Sequence, residues 1–220
     1  MFRLIPVLSA EQISELRAIA AAATFADGRI SNPHSTVKNN LQLHDPATHE
    51  RSAAILRAAL LASEDFRNIA FPKAIAPPML TRYTPGMAYG AHADAALMYL
   101  PNGVIRADIS CTIFLSDPST YGGGALRISL GSGQMAFKGD PGTVILYPST
   151  TLHEVEPVTS GERLVGLTFI QSRISDPGKR DLLYELNEVA ALEGLTIKPE
   201  NYTRLQAVQH NLLRRWTDPA

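Results

Sequence analysis

The sequence predicts an α+β fold, in which an antiparallel β-sandwich or jelly roll is flanked by helical segments on both sides. Short apolar runs occupy the middle of the chain, from about residue 72 to 173, and turn signals such as "GSG", "GDPG" and "TSGE" separate several of them. Helical patterns and helix-start signals occupy the segments before and after this middle part. Many short strands punctuated in this way are typical of a sandwich or jelly roll.

Length and composition fit one globular domain. The 220 residues are 45% hydrophobic and 19% charged, with a formal net charge of −1 and no block of like charges, which argues against a nucleic-acid-binding protein. No apolar run reaches the length of about 18 residues typical of a membrane span, and no signal-peptide pattern is seen. We therefore expect a soluble, cytoplasmic protein. The one cysteine, Cys111 in "ISCTIFL", is interpreted as a core thiol rather than a nucleophile.

The N-terminal part is expected to be mainly helical. Ser9 and Gln12 form a capping-box pattern at the start of a helix over about 10–24, and the following "DG" is expected to close it. The run "TVKNNLQL" then predicts a short strand. Asp45 and Pro46 occupy the N-cap and first position of a second helix, "ATHERSAAILRAALLAS".

Eight strands are predicted in the middle of the chain. They lie near residues 79–84, 89–94, 108–116, 125–130, 134–137, 143–147, 151–156 and 162–171. The run "YGGGALRI" resembles a phosphate-binding loop, but no Lys-Ser/Thr pair and no helix follow it. We interpret it as a loop that enters a strand.

Two more helices are predicted at the C-terminal end. Asp176 and Pro177 begin the first, which is expected to end at Gly194, and the second spans 199–216. The second helix carries an apolar stripe of Leu205, Val208, Leu212 and Trp216. The stripe is expected to pack on the domain, or else to form a homo-oligomer contact. The predicted division of the chain is a helical flank at 1–71, a β core at 72–175 and a helical appendage at 176–220.

The segment "YTPGMAYGAHAD", residues 83–94, places a histidine and an aspartate two positions apart. In an extended segment His92 and Asp94 point to the same side, about 7 Å apart, so both could reach one ion. No neighbouring residue indicates a metal role for four other histidines, which are His34, His44, His49 and His210.

A second histidine and an arginine follow later in the chain. His153 comes after a buried-looking strand and a turn, and Arg163 opens the strand "RLVGLTFIQS" in register with apolar side chains. Such an arginine either extends from the strand end into solvent or is buried against an anion. Two imidazoles and one carboxylate that leave coordination positions open form the ligand set of non-haem Fe(II) oxygenases. An arginine adds a planar fork that suits a carboxylate.

At these residues the chain resembles the Fe(II)/2-oxoglutarate-dependent dioxygenases of the prolyl-4-hydroxylase-like group, and more specifically the bacterial PKHD-type hydroxylases. The stretches "RYTPGMAYGAHAD", "DISCTIFLSDPSTYGGGALRI" and "GTVILYPSTTLHEVEPVTSGERLVGLTFIQS" carry the resemblance together with the helical tail. The likeness extends over nearly the whole chain, and the order His-x-Asp, His, Arg is specific.

The resemblance implies a double-stranded β-helix with iron held by His92, Asp94 and His153. It further implies that 2-oxoglutarate binds the iron through its 1-carboxylate and keto oxygen, while Arg163 takes the 5-carboxylate. Tyr83 matches a family tyrosine and is expected to contact this co-substrate. L-Ascorbate is the further cofactor implied. The chain departs from some relatives at "CTIFL", where they place a co-substrate tyrosine.

The reaction implied by the resemblance is hydroxylation of a substrate C–H bond, with release of succinate and CO2. Two other classes stay open: a non-catalytic cupin-like metal-binding or ligand-binding protein, and a zinc hydrolase, for which no general base is evident beside the metal. The substrate is also open, whether peptidyl proline, a free amino acid or a small siderophore-like molecule. Asn39 and Asn40 are candidates for the wall of its entrance, and a structural role for them is equally open. Neither nucleic acid nor a membrane is expected as a partner.

Overall fold

The computed structural model describes residues 2–218, in which α-helices precede and follow a β core along the chain. The helices are α1 (Ala10–Ala22), α2 (Pro46–Ala62), α3 (Glu64–Ala70), α4 (Pro177–Glu193) and α5 (Pro199–Trp216). The predicted helix starts are confirmed: Ser9 and Gln12 form the capping box of α1, Asp45 caps α2, and Asp176 caps α4. None of the helices within residues 2–218 combines the length and apolar character needed to cross a bilayer.

The strands form two antiparallel sheets and two short ribbons. In chain order they are β1 (Arg3–Pro6), β2 (Phe25–Asp27), β3 (Lys38–Asn39), β4 (Leu41–Leu43), β5 (Pro72–Ile75), β6 (Met79–Tyr83), β7 (Ala88–His92), β8 (Leu97–Leu100), β9 (Gly103–Arg106), β10 (Ile109–Phe114), β11 (Gly122–Gly123), β12 (Leu126–Leu130), β13 (Gly133–Phe137), β14 (Thr143–Pro148), β15 (His153–Val155), β16 (Val158–Ser160) and β17 (Arg163–Ser172). The large sheet has the order β1-β14-β10-β17-β6-β4-β2, with β5 also paired to β17, and the small sheet has the order β13-β12-β15-β7-β3. The ribbons are β11-β16 and β8-β9. The predicted jelly roll is confirmed.

The large sheet is buried on both faces. One face packs against the N-terminal helices in a cluster that includes Leu16, Leu56 and Phe66. The other face packs against the small sheet, where Phe114 and Ile128 belong to a second buried cluster. All six residues of β10 are therefore buried, with Ile109, Cys111 and Ile113 in the first cluster and Phe114 in the second. Burial also raises the pKa of the Cys111 thiol well above its usual range, as expected for a core residue rather than a nucleophile.

The N-terminal part contributes more than a helical flank. Strand β1 pairs with β14 at the edge of the large sheet, and β3 pairs with β7 at the edge of the small sheet. The expectation that "DG" ends the first helix is wrong, because α1 ends at Ala22 and Phe25–Asp27 forms β2 against β4. Strands this short gain their stability from the partner strand, so the local sequence pattern alone does not reveal them. The domain boundaries proposed from the sequence stay predictions.

Candidate metal centre

The three side chains expected to bind metal converge between the two sheets. His92 ends β7 and His153 begins β15, and the two residues stand opposite each other in the antiparallel ladder. Their ring centroids lie 4.3 Å apart. The predicted strand 89–94 is observed as Ala88–His92, so Asp94 lies beyond the strand end and its position does not follow from strand alternation.

The spacing of the ligand atoms suits a single divalent ion. Asp94 Oδ1 lies 3.9 Å from His92 Nε2, and Asp94 Oδ2 lies 3.6 Å from His153 Nε2. Both separations are below about 4 Å, which is twice a metal–ligand bond of about 2 Å. One ligand atom from each of the three residues lies within 4.8 Å of the others, and within residues 2–218 this is the only such group of His, Cys, Asp or Glu.

Backbone carbonyls orient both imidazoles. His92 Nδ1 lies 2.8 Å from the Gly90 carbonyl oxygen, and His153 Nδ1 lies 3.0 Å from the Thr151 carbonyl oxygen. With Nδ1 donating to the carbonyl, each Nε2 is left as the lone-pair atom that a metal requires. Burial, and after it the neighbouring His153, lowers the pKa of His92, which favours the neutral ring that binds metal.

Two buried serines hold the carboxylate of Asp94. Ser110 Oγ donates to Asp94 Oδ2 at 2.5 Å, and Ser110 Oγ is in turn 2.8 Å from Ser149 Oγ. Both serines are nearly inaccessible to solvent. Neither serine was predicted from the sequence, although Ser110 and Thr112 are the polar residues of the mainly apolar strand β10. Asp94 lies in the loop after β7, so strand geometry does not fix its side chain. The hydrogen bond from Ser110 fixes it instead.

Aromatic rings enclose the two histidines. Tyr89 stacks on His92 with ring centroids 3.6 Å apart and an interplanar angle of 12°. Tyr147 meets His153 edge-on at 5.0 Å, and burial raises the pKa of Tyr147 well above its usual range, so its hydroxyl stays protonated. These rings restrict rotation of the imidazoles and keep the site partly dry.

Arg163 is buried in the same cavity, with an exposed fraction of 1%. Its guanidinium lies 5.0 Å from the ring centroid of Tyr83, and its positive charge partly offsets the rise that burial causes in the pKa of Tyr121. Within residues 2–218 no carboxylate forms an ion pair with it, and its Nε has no hydrogen-bond partner. The reading of Arg163 as a surface residue at the strand end is therefore excluded.

Tyr83 also lines the cavity, and its position depends on the N-terminal part. Its hydroxyl accepts a hydrogen bond of 2.8 Å from Asn40 Nδ2, and both residues are buried. Asn40 thus has a structural contact with Tyr83, whereas Asn39 is exposed. Tyr121, which lies beside the guanidinium, was not predicted; it immediately precedes the glycine run "GGG". Gly124 in that run has φ +66°, and a Cβ placed there would lie 3.2 Å from Arg163 Cδ.

The remaining histidines stand apart from this group. His34, His44 and His210 are exposed and His49 is half-buried, as expected for residues without a metal role. Asp94 is the only carboxylate that lines the cavity among the described residues. A general base of the kind that a zinc hydrolase needs beside its metal is thus not among the cavity-lining side chains of residues 2–218.

Comparison with known proteins identifies relatives over nearly the full length of the chain. The sequence profile of the 2OG-Fe(II) oxygenase superfamily matches residues 78–171. A PKHD-type hydroxylase of Sphingopyxis alaskensis is 61% identical over 216 residues, which cover 98% of this chain and 99% of the relative. A PKHD-type hydroxylase of Thermosynechococcus vestitus is 40% identical over 216 residues, covering 96% of each chain.

Solved structures share the fold at low sequence identity. A prolyl-4-hydroxylase of Pseudomonas putida superimposes with a TM-score of 0.56 at 20% identity, over 77% of this chain and 92% of that one. A prolyl hydroxylase of Trichoplax adhaerens superimposes with a TM-score of 0.58 at 14% identity, over 77% of this chain and 83% of that one. At these identities the likeness concerns the fold alone.

Proposed function

Because the chain belongs to the PKHD-type hydroxylases of the 2OG-Fe(II) oxygenase superfamily, we propose that His92, Asp94 and His153 hold the Fe(II) with which it hydroxylates its substrate. The reaction class of the family is an Fe(II)- and 2-oxoglutarate-dependent hydroxylation. The observation that carries the proposal for these residues is the convergence of the three ligand atoms and a buried, unpaired arginine in one cavity.

The donor set fits Fe(II). Two neutral imidazoles and one carboxylate suit an ion of intermediate hardness, and three protein ligands leave positions open for a co-substrate and O2. The carbonyls of Gly90 and Thr151 fix both imidazoles, and Ser110 fixes the carboxylate. Such contacts orient the ligand side chains and contribute to metal affinity.

The opposite end of the cavity fits the distal carboxylate of 2-oxoglutarate. Arg163 is buried without a protein carboxylate, and a buried charge of this kind is unfavourable unless a counter-charge enters. A guanidinium can bind a carboxylate through two parallel hydrogen bonds. We therefore assign the 5-carboxylate to Arg163 and a neighbouring contact with the co-substrate to Tyr83.

Iron and 2-oxoglutarate, when bound, supply the oxidation of a C–H bond by O2, with one oxygen atom entering the substrate, the other entering succinate, and CO2 released. The protein's own residues hold the metal and the co-substrate in place and exclude water. The imidazoles and the carboxylate hold the metal, Arg163 sets the orientation of the co-substrate, and Leu126, Val165 and Leu167 line the cavity with apolar groups that exclude water.

The primary substrate is a peptidyl proline, a free amino acid or a small metabolite, and L-ascorbate is proposed as an auxiliary reductant. A cytoplasmic location is supported by the free, buried thiol of Cys111. A homo-oligomer through the C-terminal helices is supported by exposed apolar side chains on α4 and α5, such as Leu192 and Val208.

The test of this function is an anaerobic protein loaded with Fe(II) and 2-oxoglutarate, then mixed with O2 and each candidate substrate. Accelerated O2 uptake with matching succinate formation is expected for the true substrate class. Metal and 2-oxoglutarate binding without any succinate, even in slow substrate-free turnover, would instead support the cupin-like binding protein. His153→Ala is the inactive reference, and Glu154→Ala, one residue along the same strand, is the matched active one.

A further inference from the structure

A second buried polar atom without a partner lies in the cavity beside Arg163. Thr81 on β6 is 1% exposed, and its Oγ1 has no hydrogen-bond partner among residues 2–218. Its side chain lines the same cavity as Arg163 and the three metal-site residues. Buried hydroxyls are almost always hydrogen-bonded, so an orphan that faces a cavity points to a ligand that completes it.

The strand register places Thr81 between Arg163 and the end of the cavity that contains the three metal-site residues. In the ladder of β6 and β17, Tyr83 stands opposite Arg163, Thr81 opposite Val165, and Met79 opposite Leu167. On the other side of β17, Thr112 stands opposite Leu167. Residues opposite each other share a face, so Thr81 lies one step of two residues, about 7 Å, from Arg163 toward the level of Thr112.

The same level of the sheet contains part of "CTIFL", the stretch in which some relatives place a co-substrate tyrosine. Phe114 on the central strand β10 stands opposite Val165, so Phe114 and Thr81 flank this residue at one level of the sheet. Phe114 belongs to "CTIFL" and has no hydrogen-bonding group. Thr112, the cavity-lining hydroxyl of β10, stands opposite Leu167 and so lies one level farther from Arg163. Thr81 is thus the hydroxyl at this level that is left with a donor to offer.

We propose that the Thr81 hydroxyl is a second donor to the 5-carboxylate of 2-oxoglutarate. Thr81 lies on β6, which pairs with one side of β17, whereas the central strand β10 pairs with the other side. The inference rests on the proposed function, since it assumes that Arg163 binds this carboxylate. Both unpaired atoms, Arg163 Nε and Thr81 Oγ1, can donate, and a carboxylate offers about four acceptor sites. One entering carboxylate therefore satisfies both.

The decisive variant is Thr81→Val, which keeps the shape of the side chain and removes the hydroxyl. We expect 2-oxoglutarate affinity of the anaerobic Fe(II) protein to fall about ten- to a hundred-fold, the range for a hydrogen bond to a charged group. The thermal midpoint of the metal-free protein should stay equal or rise, because no protein hydrogen bond is lost. Thr81→Ser should retain affinity close to that of the wild type.

Thr168→Val is the matched control, because Thr168 is an equally buried threonine whose hydroxyl donates to the Ala76 carbonyl at 2.6 Å. This variant should lower the thermal midpoint and leave 2-oxoglutarate affinity unchanged. A Thr81→Val protein that fails to fold would show it in the same melting experiment, and Thr81→Ala then replaces it in the titration.

A second probe, 2-oxopentanoate, has the same metal-chelating end but no distal carboxylate. Wild type and Thr81→Val should bind it equally. Equal binding of 2-oxoglutarate by the two proteins, or an equal loss for both probes, overturns the role of Thr81. Failure of the wild type itself to bind 2-oxoglutarate would instead count against the proposed function.

Discussion

The two ends of the cavity differ in how their polar groups are satisfied. At the metal end, each imidazole Nδ1 already bonds a backbone carbonyl, and Asp94 already accepts from Ser110. At the opposite end, Arg163 Nε and Thr81 Oγ1 have no partner among residues 2–218. The protein therefore orients the three proposed metal ligands by itself, whereas the end proposed to bind 2-oxoglutarate would be completed by a ligand. Variants at the two ends should accordingly separate metal affinity from 2-oxoglutarate affinity.

The largest effect is expected for His153→Ala at the metal end. Removing one of three ligands leaves two, which hold a labile divalent ion poorly, so Fe(II) occupancy should be lost. Metal analysis of the anaerobically loaded protein measures this directly. The control Glu154→Ala changes a half-buried residue on the same strand and should keep full occupancy. Full occupancy of the His153 variant would remove this residue from the site.

At the other end, Arg163→Ala should weaken 2-oxoglutarate binding without affecting the metal. Truncating one partner of a buried charge pair costs about 2–5 kcal/mol, which is roughly thirty-fold to several-thousand-fold in affinity. Arg163→Lys should restore part of the loss, because a single ammonium cannot reproduce the planar fork. Titration of 2-oxoglutarate into the anaerobic Fe(II) protein, followed through its charge-transfer band, gives the affinity. Unchanged 2-oxoglutarate affinity would mean that Arg163 does not bind the co-substrate, and the proposed difference between the two ends would be wrong.

A smaller effect is expected for Ser110→Ala, which frees the carboxylate of Asp94 while leaving all three ligands in place. Loss of an outer-shell partner lowers metal affinity about ten- to a hundred-fold. Ser149→Ala removes only the next hydrogen bond in the chain and should have a weaker effect. Competition with a fluorescent chelator measures both affinities. If Ser110→Ala binds metal as the wild type does, the metal end is not organised through this serine.

The smallest effect concerns pH. Burial, and then His153, lowers the pKa of His92 below its ordinary value of 6.5, so the folded metal-free protein takes up this proton at lower pH than the unfolded chain. The unfolded state then binds more protons between the two pKa values, and the free energy of unfolding decreases as the pH falls through that window. NMR titration of His92 should give a midpoint below that of the urea-unfolded protein. A midpoint at or above 6.5 would contradict this.

Much of the fold was predictable because local signals and tertiary structure agree. The capping box at Ser9 and the Asp-Pro starts at Asp45 and Asp176 satisfy helix N-termini through contacts a few residues apart, so the sequence shows them. The eight predicted core strands are all present, with ends within two residues of those expected. The strands that were not predicted have two to four residues each and are β1, β2, β5, β8, β9, β11 and β16. Among them, β1, β2 and β5 exist because a distant strand provides their hydrogen bonds.

The sequence by itself determined which residue types could form the centre, since His-x-Asp, a later His and an Arg ten residues beyond it have a spacing that few other functions require. The tertiary structure alone decided how they are held. Ser110 reaches Asp94 across 16 positions, Asn40 reaches Tyr83 across 43, and Thr81 meets the level of Arg163 through strand register. Hydrogen bonds across such separations depend on which strands pair, and strand pairing is set by burial of the whole sheet rather than by any local pattern.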